Sequence, residues 1–380
     1  MDFELTEEQD ALREVSRRML AASCPPQLVR SLASAGQDVD DELWQRAAEL
    51  GWTGLAVPEE LDGAGQGLVE LALVAEEIGR AAAAGAFIDS ALTAVALSRS
   101  RAVGRAGEAS RTDGAGRMAD VVRGLAVGRV KASWAHHGSV AGVVGSGGGS
   151  GGDPGGLVLR GRASAVQAAV AADWLLVTAA CDPGRRLVLV ERARASIEPR
   201  RTLDETRRWY DVVLDDVRVD AADVVTADEA EIEWLTDAAA VLTAADALGA
   251  GERLLEMTVG YVTVREQFGR PLGSFQSVKH KAADMLTTLK GARAATYYAA
   301  MALDVGVAGG PAAASAAKAF TSEGVAALAG QALQTHGGIG FTWEHDLHLY
   351  LRRAKVDEVL YGSPAEHYER IVALRELGAP

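Results

Sequence analysis

The chain contains 380 residues, of which 48% are hydrophobic and 24% are charged, and its formal net charge is -14. This composition excludes a disordered chain, and the acidic surplus disfavours sequence-independent binding to nucleic acid or to anionic membranes. Two cysteines are too few for a disulfide scaffold and are typical of a reducing compartment. Because the opening residues MDFELTEEQD have no basic segment followed by an apolar one, we expect a cytoplasmic protein.

The length predicts two or three domains, and the first of them, residues 1–125, has the pattern of a helical domain. Thr6 and Gln9 form a predicted capping box at the start of the first helix. A second helix is expected to end near Gly51, and an amphipathic helix follows the sequence GAGQG. Residues 101–117 are polar and rich in glycine, which predicts a loop.

The second predicted domain, residues 126–227, contains short runs rich in valine and leucine that are separated by turns. Runs of this length and spacing predict a small antiparallel β-barrel or sandwich. The glycine-rich stretch at 142–156 lacks the Lys-Ser/Thr ending and the following helix of a phosphate-binding loop, so we interpret it as a flexible surface loop.

The third predicted domain, residues 228–380, is helical throughout. A long helix over 229–267 is broken by Pro271, and four or five helices with short connections predict a four-helix-bundle domain. The fold class is therefore α+β multidomain: an N-terminal helical domain, a small middle β-barrel and a C-terminal helical bundle. The predicted helices after the break cover 275–305, 311–334, 343–361 and 364–377.

Two connections in the third domain have residue types that suit a phosphate-containing ligand. In the first, Arg265 closes a helix and Gln276 opens the next one, and an arginine there could bind a pyrophosphate through two hydrogen bonds. In the second, Gly337 and Gly338 follow a helix and would let backbone amides approach a ligand. The alternative for both is an ordinary turn between helices.

Other kinds of site have weaker support. His345 and His348 have helical spacing for two metal ligands, but no third ligand is suitably placed, so polar or interface residues are the better interpretation and no metal is expected. The sequence has no Gly-x-Ser-x-Gly elbow, which leaves a hydrolase without a nucleophile.

Four stretches together resemble the acyl-CoA dehydrogenase family over nearly the whole chain. They are FELTEEQDALRE, ELGWTGLAVPEELDGAGQGLVELALVAEEIGRA, REQFGRPLGSFQSVKHKAADM and LQTHGGIGFTWEHDLHLYLRRAK. The resemblance implies the same order of domains and a flavin enzyme that holds FAD between its β domain and its C-terminal bundle. It also implies acyl-CoA as the substrate, an electron-transferring flavoprotein as the electron acceptor, and a homo- or hetero-oligomer that is a dimer of dimers.

The resemblance also assigns FAD-binding residues. Arg265 matches the arginine that contacts the FAD pyrophosphate, and Phe268 and Gln276 match neighbouring contacts. A last group matches the turn that reaches the adenosine end of FAD in the neighbouring subunit: Gln334, Gly337 and Gly338.

The catalytic base is where the sequence departs from the family. The usual Tyr-Glu-Gly-Thr stretch is replaced by Leu360-Tyr361-Gly362-Ser363, with Tyr361 in place of the glutamate, and the alternative position of the base is Ala239. Asp246 lies seven residues after Ala239, on the same helix face, so we predict Asp246 as a candidate base. Its alternative interpretation is a partly exposed aspartate or a member of a buried structural pair.

Two stretches of the middle domain also depart from the family. Ala165 and Gln167 stand at the positions of a flavin-facing Trp-x-Thr, and SWAHHGSV replaces the usual Thr-Glu-Pro-Gly turn.

Three functions follow as hypotheses. The first is an FAD-dependent acyl-CoA dehydrogenase subunit of a branch associated with sterols or other bulky acyl groups. The alternatives are a non-catalytic partner subunit in a hetero-oligomer and a flavin oxidase or oxygenase.

Overall fold

The computed structural model describes residues 5–100, 114–144, 156–225 and 228–378. In these ranges helices come first, a sheet follows and helices complete the chain, so the predicted fold class is confirmed. The divisions predicted at 125/126 and 227/228 stay predictions. Most of the glycine-rich stretch, residues 145–155, lies outside the described residues.

The N-terminal part is built of helices whose ends follow from local sequence. The predicted capping box at Thr6 is present: the Gln9 N–H donates to the Thr6 hydroxyl at 3.2 Å, and the Thr6 N–H donates to Gln9 at 3.0 Å. The loop predicted over 101–117 is wrong at its end, because a helix already begins at Gly114, and residues 101–113 lie outside the described ranges. The helices are α1 (Glu7–Ser23), α2 (Pro26–Ala35), α3 (Asp41–Glu49), α4 (Leu68–Ala81), α5 (Phe87–Ser98) and α6 (Gly114–Ala126).

The middle part is a sheet in which most neighbouring strands are antiparallel. Its strands are β1 (Ala132–Ala135), β2 (His137–Val144), β3 (Leu157–Gln167), β4 (Trp174–Ala180), β5 (Arg185–Glu191), β6 (Ser196–Arg200), β7 (Trp209–Val219) and β8 (Val224–Val225). The order is β6-β7-β3-β2-β4-β5-β8, and β1 pairs with β4. The β1–β4 and β2–β4 pairs are parallel, which the expectation of an antiparallel barrel did not include.

The C-terminal part is a bundle around α7, a helix of 36 residues that is about 54 Å long. The long helix predicted to reach residue 267 ends at Val264, because the chain turns there into a two-stranded hairpin. The elements are α7 (Glu229–Val264), β9 (Glu266–Gln267), β10 (Arg270–Pro271), α8 (Gln276–Val305), α9 (Gly310–His336), α10 (Leu347–Asp357) and α11 (Pro364–Gly378).

Helices α4 and α7 cross with their backbones in contact. A Cβ atom added at Gly249 would lie 1.8 Å from the Glu76 carbonyl oxygen, and one added at Gly79 would lie 1.9 Å from the Asp246 carbonyl oxygen. Only glycine permits such an approach. The small residues around Asp246 therefore serve helix packing, and the middle of α7 is buried in the core.

None of the helices in the described ranges is long and apolar enough to cross a membrane.

Candidate active site

The two connections predicted to bind a phosphate-containing ligand lie at the same end of the bundle. The ring of Tyr261, in the last turn of α7, stacks on His336 at the end of α9, with 4.7 Å between ring centroids. This stack places Arg265, which follows α7, near Gly337 and Gly338, which follow α9. The sequence had identified both connections but not their proximity.

The hairpin after α7 presents an aromatic ring to the surface. Phe268 and Gly269 form its turn with φ angles of 53° and 77°. Positive φ at two successive residues suits a tight hairpin, but it is unfavourable for a phenylalanine. The Phe268 side chain is 91% exposed, and its edge-on contact with the Phe275 ring, with 6.2 Å between ring centroids, buries little of it. An exposed aromatic residue in a strained turn is typical of a contact site for a ligand or partner.

Several cationic side chains around this hairpin have no anionic partner. Arg265, Arg270 and Lys279 form no ion pair with any described residue, although the chain as a whole is acidic. The guanidinium of Arg270 instead lies 4.0 Å from the centre of the Phe275 ring. The exposed side chain of Gln276 also has no hydrogen bond within the described residues. Uncompensated cations in an acidic protein favour an anionic ligand at this surface.

The end of α9 has a buried polar atom that needs a partner. His336 Nδ1 lies 2.8 Å from the Ala332 carbonyl oxygen and therefore carries the ring proton, which leaves Nε2 as an acceptor. Nε2 is buried and has no hydrogen bond among the described residues. A Cβ atom at Gly337 or Gly338 would meet no atom of this chain within 4 Å. Open space beside an unsatisfied acceptor suits a bound hydroxyl or amine donor.

Asp246, the predicted base, lies in a buried ion pair. The Arg353 Nε and Nη2 atoms donate to its two carboxylate oxygens at 2.7 and 2.6 Å, and the side chain has no exposed surface. Burial acts to raise the pKa of Asp246, but the Arg353 guanidinium outweighs it and holds the pKa below its ordinary value. This geometry favours the alternative interpretation, a buried structural pair.

A second arginine connects this pair to the middle part of the chain. Arg207 donates to Asp204 through Nε at 2.7 Å and to Asp357 through Nη2 at 2.7 Å. Burial raises the pKa of Asp357 to about 8, so this carboxyl is mostly protonated at neutral pH. With Asp357 protonated, the charges of the two guanidinium groups are balanced by the two remaining carboxylates, so the whole cluster is close to electrically neutral. Its members are Asp204, Asp246, Asp357, Arg207 and Arg353.

Tyr361 lies where three parts of the chain meet. Its ring centroid is 5.9 Å from Trp134 of β1 and 5.8 Å from His137 of β2, and its phenol is a hydrogen-bond partner of Asp89 in α5. The structure thus joins two stretches at which the sequence departs from the family, SWAHHGSV and the turn around Tyr361.

Comparison with known proteins decides the family. The acyl-CoA dehydrogenase N-terminal domain matches residues 6–104, and the C-terminal domain of the same family matches residues 232–374. The chain is 32% identical over 366 residues to acyl-CoA dehydrogenase IpdE2 of Mycobacterium tuberculosis, a match that covers 96% of each protein.

The chain belongs to the acyl-CoA dehydrogenase family.

Solved structures of this family resemble the chain along its whole length. The ChsE4-ChsE5 complex from Mycobacterium tuberculosis matches with a TM-score of 0.88 and 27% identity, and the match covers 100% of both chains. The Tcur3481-Tcur3483 steroid acyl-CoA dehydrogenase variant matches with a TM-score of 0.85 and 28% identity, over 98% of this chain and 99% of the other.

As an acyl-CoA dehydrogenase, the chain is an oxidoreductase and its cofactor is FAD. The surface at the end of the bundle fits this cofactor. It offers an unpaired arginine for a pyrophosphate, an exposed aromatic ring, and open space beside two glycines and an unsatisfied histidine nitrogen. The individual assignments stay predictions: Arg265, Phe268, Gln276, Gln334, Gly337 and Gly338.

The other carboxylates of α7 near Asp246 are also paired. Glu252 accepts a hydrogen bond from Arg293, and Glu256 accepts one from Arg80 at 2.5 Å. These ion pairs make both carboxylates poor candidates for the base.

Other positions considered in the sequence have structural partners. The Gln167 side-chain amide donates to the Gly85 carbonyl oxygen at 2.7 Å, which directs it toward the N-terminal helices. His345 packs edge-on against His336, and His348 Nδ1 lies 2.7 Å from the His345 carbonyl oxygen. Within the described ranges, no group of three or more His, Cys, Asp or Glu side chains could hold a metal ion.

Sequence reasoning missed several polar residues of the site. Asp89 and Asp357 lie outside the stretches that resemble the family, and His336 and Arg353 lie inside one that assigned them no role. The role of each depends on a partner far away in the chain. Arg207 likewise lies outside the stretches that resemble the family, and its partner Asp357 is 150 residues further along the chain.

Proposed function

We propose that this chain is a subunit of an acyl-CoA dehydrogenase that binds FAD and acts with an unlike subunit, which supplies the catalytic base. One observation carries the proposal. The carboxylates near the middle of α7 are held in ion pairs, and the position of the usual glutamate is Tyr361. A phenol with a pKa well above 10 is a poor base at neutral pH, and burial together with the charge of Asp89 raises the pKa of Tyr361.

The reaction class explains why a missing carboxylate matters. The α-proton of a thioester is weakly acidic, so its removal requires a base whose pKa lies near the working pH. Asp246 does not meet this requirement, because its pKa is lowered and its two oxygens already accept hydrogen bonds from Arg353. We therefore assign Asp246 a structural role.

The residues at the end of the bundle have a binding role in this proposal. Arg265 would bind the pyrophosphate of FAD, Phe268 and Gln276 would contact neighbouring groups, and Gly337 and Gly338 would admit the adenosine end from the adjoining subunit. When bound, FAD accepts the hydride that leaves the β-carbon of the thioester. The exposed Phe268 and the open glycines are unsatisfied in a single chain, which supports an oligomer in which they are covered.

The partners and substrate follow from the relatives. A similar structure is a complex of two unlike chains, ChsE4 and ChsE5, and another is a steroid acyl-CoA dehydrogenase variant. By analogy we propose an unlike partner subunit, a bulky acyl-CoA substrate, electron transfer to an electron-transferring flavoprotein, and a cytoplasmic location.

FAD binding is tested with purified full-length protein. We expect the wild type to bind FAD after reconstitution, and Arg265→Ala to weaken the binding by at least about tenfold, since a hydrogen bond to a charged group contributes about 1.5–3 kcal/mol. Arg194→Ala is the matched control, because that arginine lies on the β domain and contacts the Arg218 carbonyl oxygen. Equal binding by the wild type and Arg265→Ala would refute the assignment of Arg265. Failure of every sample to bind FAD, with or without an unlike subunit, would refute the proposed function.

A further inference from the structure

A cavity of about 370 Å³ lies where the N-terminal helices meet the bundle. Helices α1 and α4 form one side of it, and Arg253 of α7 and Tyr350 of α10 form the other. None of the residues that line it belongs to the surface at the end of the bundle that fits FAD. Its volume is in the range of pockets that bind small molecules, so it has room for a small organic ligand.

Part of the lining is apolar and extends from the core to the surface. Leu20, Cys24 and Tyr350 are 2%, 4% and 3% exposed, whereas Ala21 and Pro25 are exposed. Burial raises the pKa of Cys24 to about 11, so its thiol is uncharged at neutral pH. A ligand that enters from the surface would therefore place an apolar group against these residues.

The charged part of the lining has more positive groups than negative ones. It consists of three guanidinium groups, those of Arg17, Arg80 and Arg253, and one carboxylate, that of Glu77. The Glu77 carboxylate is 1% exposed, and its two oxygens accept hydrogen bonds from Arg17 Nε at 3.0 Å and Nη2 at 2.7 Å. Arg17 thus neutralises Glu77, which leaves two positive charges in the lining.

Arg80 has donors that its partners do not use. Its Nη2 atom donates to the two Glu256 oxygens at 2.5 and 2.6 Å, whereas its Nε and Nη1 atoms have no hydrogen bond with any described residue. Carboxylate oxygens of Glu77 and Glu252 lie 3.9 Å from these atoms, which is too far for a hydrogen bond. The Arg80 side chain is only 17% exposed, so little water replaces the missing acceptors. Unused donors on a mostly buried guanidinium favour an anionic ligand.

Further glutamates surround the cavity without lining it, and each is paired with an arginine: Glu76 and Glu252 with Arg293, and Glu256 with Arg80 and Arg253. Together with the lining residues they form a cluster of four arginines and four glutamates, which is electrically balanced. Three of these arginines line the cavity, but only one of the glutamates does. An anion in the cavity would therefore meet the positive side of a balanced cluster.

We propose that this cavity binds a small carboxylate with an apolar chain, and that Arg80 is the main partner of the carboxylate group. The planar guanidinium matches a carboxylate in geometry, and the buried Leu20 and Tyr350 suit an apolar chain. The site adds a binding function that does not depend on the proposed reaction. Because its walls come from both the N-terminal helices and the bundle, the ligand would stabilise the junction between them.

The test measures binding of octanoate to full-length, FAD-loaded protein by isothermal titration calorimetry. Two comparison ligands separate the parts of the proposal: 1-octanol keeps the apolar chain without the charge, and inorganic phosphate keeps a negative charge without the chain. Ala21→Trp is the blocking variant, because Ala21 lines the cavity at an exposed position of α1. Ala22→Trp is its matched control, because Ala22 is the next exposed residue of the same helix and does not line the cavity.

A third variant, Arg80→Gln, tests the partner of the carboxylate group, and circular dichroism shows whether each variant is folded. We expect one octanoate per chain for the wild type and Ala22→Trp. Arg80→Gln and Ala21→Trp should bind it at least about tenfold more weakly, since each loses a charge-assisted hydrogen bond or the space for the ligand.

The wild type should also bind 1-octanol and phosphate at least about tenfold more weakly than octanoate. Absence of saturable octanoate binding by the wild type would overturn the proposal. Octanoate binding that Ala21→Trp leaves unchanged would lie elsewhere on the protein and would overturn it too. Equal binding of 1-octanol or of phosphate would contradict a site for a carboxylate with an apolar chain.

Discussion

Replacement of Asp246 by asparagine tests whether this residue has a structural or a catalytic role. Asn keeps the shape of the side chain but removes the negative charge that faces Arg353, which has no exposed route to solvent. The guanidinium would retain only neutral acceptors, the Ala83 carbonyl oxygen at 3.0 Å and the Thr206 hydroxyl at 3.1 Å. An uncompensated buried charge is strongly destabilising.

The loss of stability in Asp246→Asn depends on the cost of breaking the buried pair of Asp246 and Arg353. Removal of one partner of a buried ion pair costs about 3–5 kcal/mol. With an unfolding entropy of about 2.1 cal/mol/K per residue, the 380-residue chain would lose about 4–6 °C in Tm if it unfolds as one unit. Asp357 reduces this loss, because without the charge of Asp246 its own carboxyl ionises more readily and compensates Arg353. We therefore expect a value near the lower limit.

The assay is differential scanning calorimetry of the wild type, Asp246→Asn and Asp211→Asn. Asp211 is the matched control, since its carboxylate pairs with the partly exposed Arg200, and such pairs contribute about 0–1 kcal/mol. Flavin reduction is measured in the same proteins, in complex with the proposed unlike subunit. If Asp246→Asn keeps the wild-type Tm while reduction slows by orders of magnitude, Asp246 is the base and the structural assignment is wrong.

Two further predictions concern Asp357 and Phe268. Because burial raises the pKa of Asp357 to about 8 from an ordinary 3.8, its contribution to stability is fully present below about pH 4 and is lost as the pH rises through 8. Asp357→Asn should flatten the fall of Tm between pH 5 and pH 9, and an unchanged slope would show that another group is responsible. Phe268→Ser should leave Tm within about 1 °C of the wild type, because the ring is 91% exposed. The same substitution should lower the amount of FAD that the protein retains on gel filtration. Unchanged FAD retention would show that Phe268 is not part of the FAD site.

Local signals in the sequence predicted much of the fold. The predicted capping box at Thr6 is present, and the helices predicted at 275–305 and 364–377 agree with α8 and α11 within a residue or two. These features depend on neighbours within one turn of helix. Strand direction depends on topology instead, so the parallel pairing of β1 and β4 was not predicted.

The candidate site was only partly predictable, because some of its features depend on contacts between residues that are far apart in the chain. The hairpin after Arg265 and the turn at Gly337 have local patterns that suggest binding. The state of Asp246 is set by Arg353, which lies 107 residues further along the chain. The sequence LRRAKVD around Arg353 also suits a solvated helix face, and the apolar neighbours of Asp246 suit either a base or a buried pair. The choice between these roles requires the tertiary contacts.

The most direct test of the central claim is anaerobic flavin reduction by an acyl-CoA, followed by absorbance at the flavin band. The FAD-loaded chain is mixed with butyryl-CoA and with bulkier acyl-CoA esters, first alone and then together with the proposed unlike subunit, which is sought by co-purification from the native cells. We predict that the FAD stays oxidised in the chain alone and is reduced in the two-chain complex. Rapid reduction by the chain alone would contradict the claim that it lacks its own catalytic base.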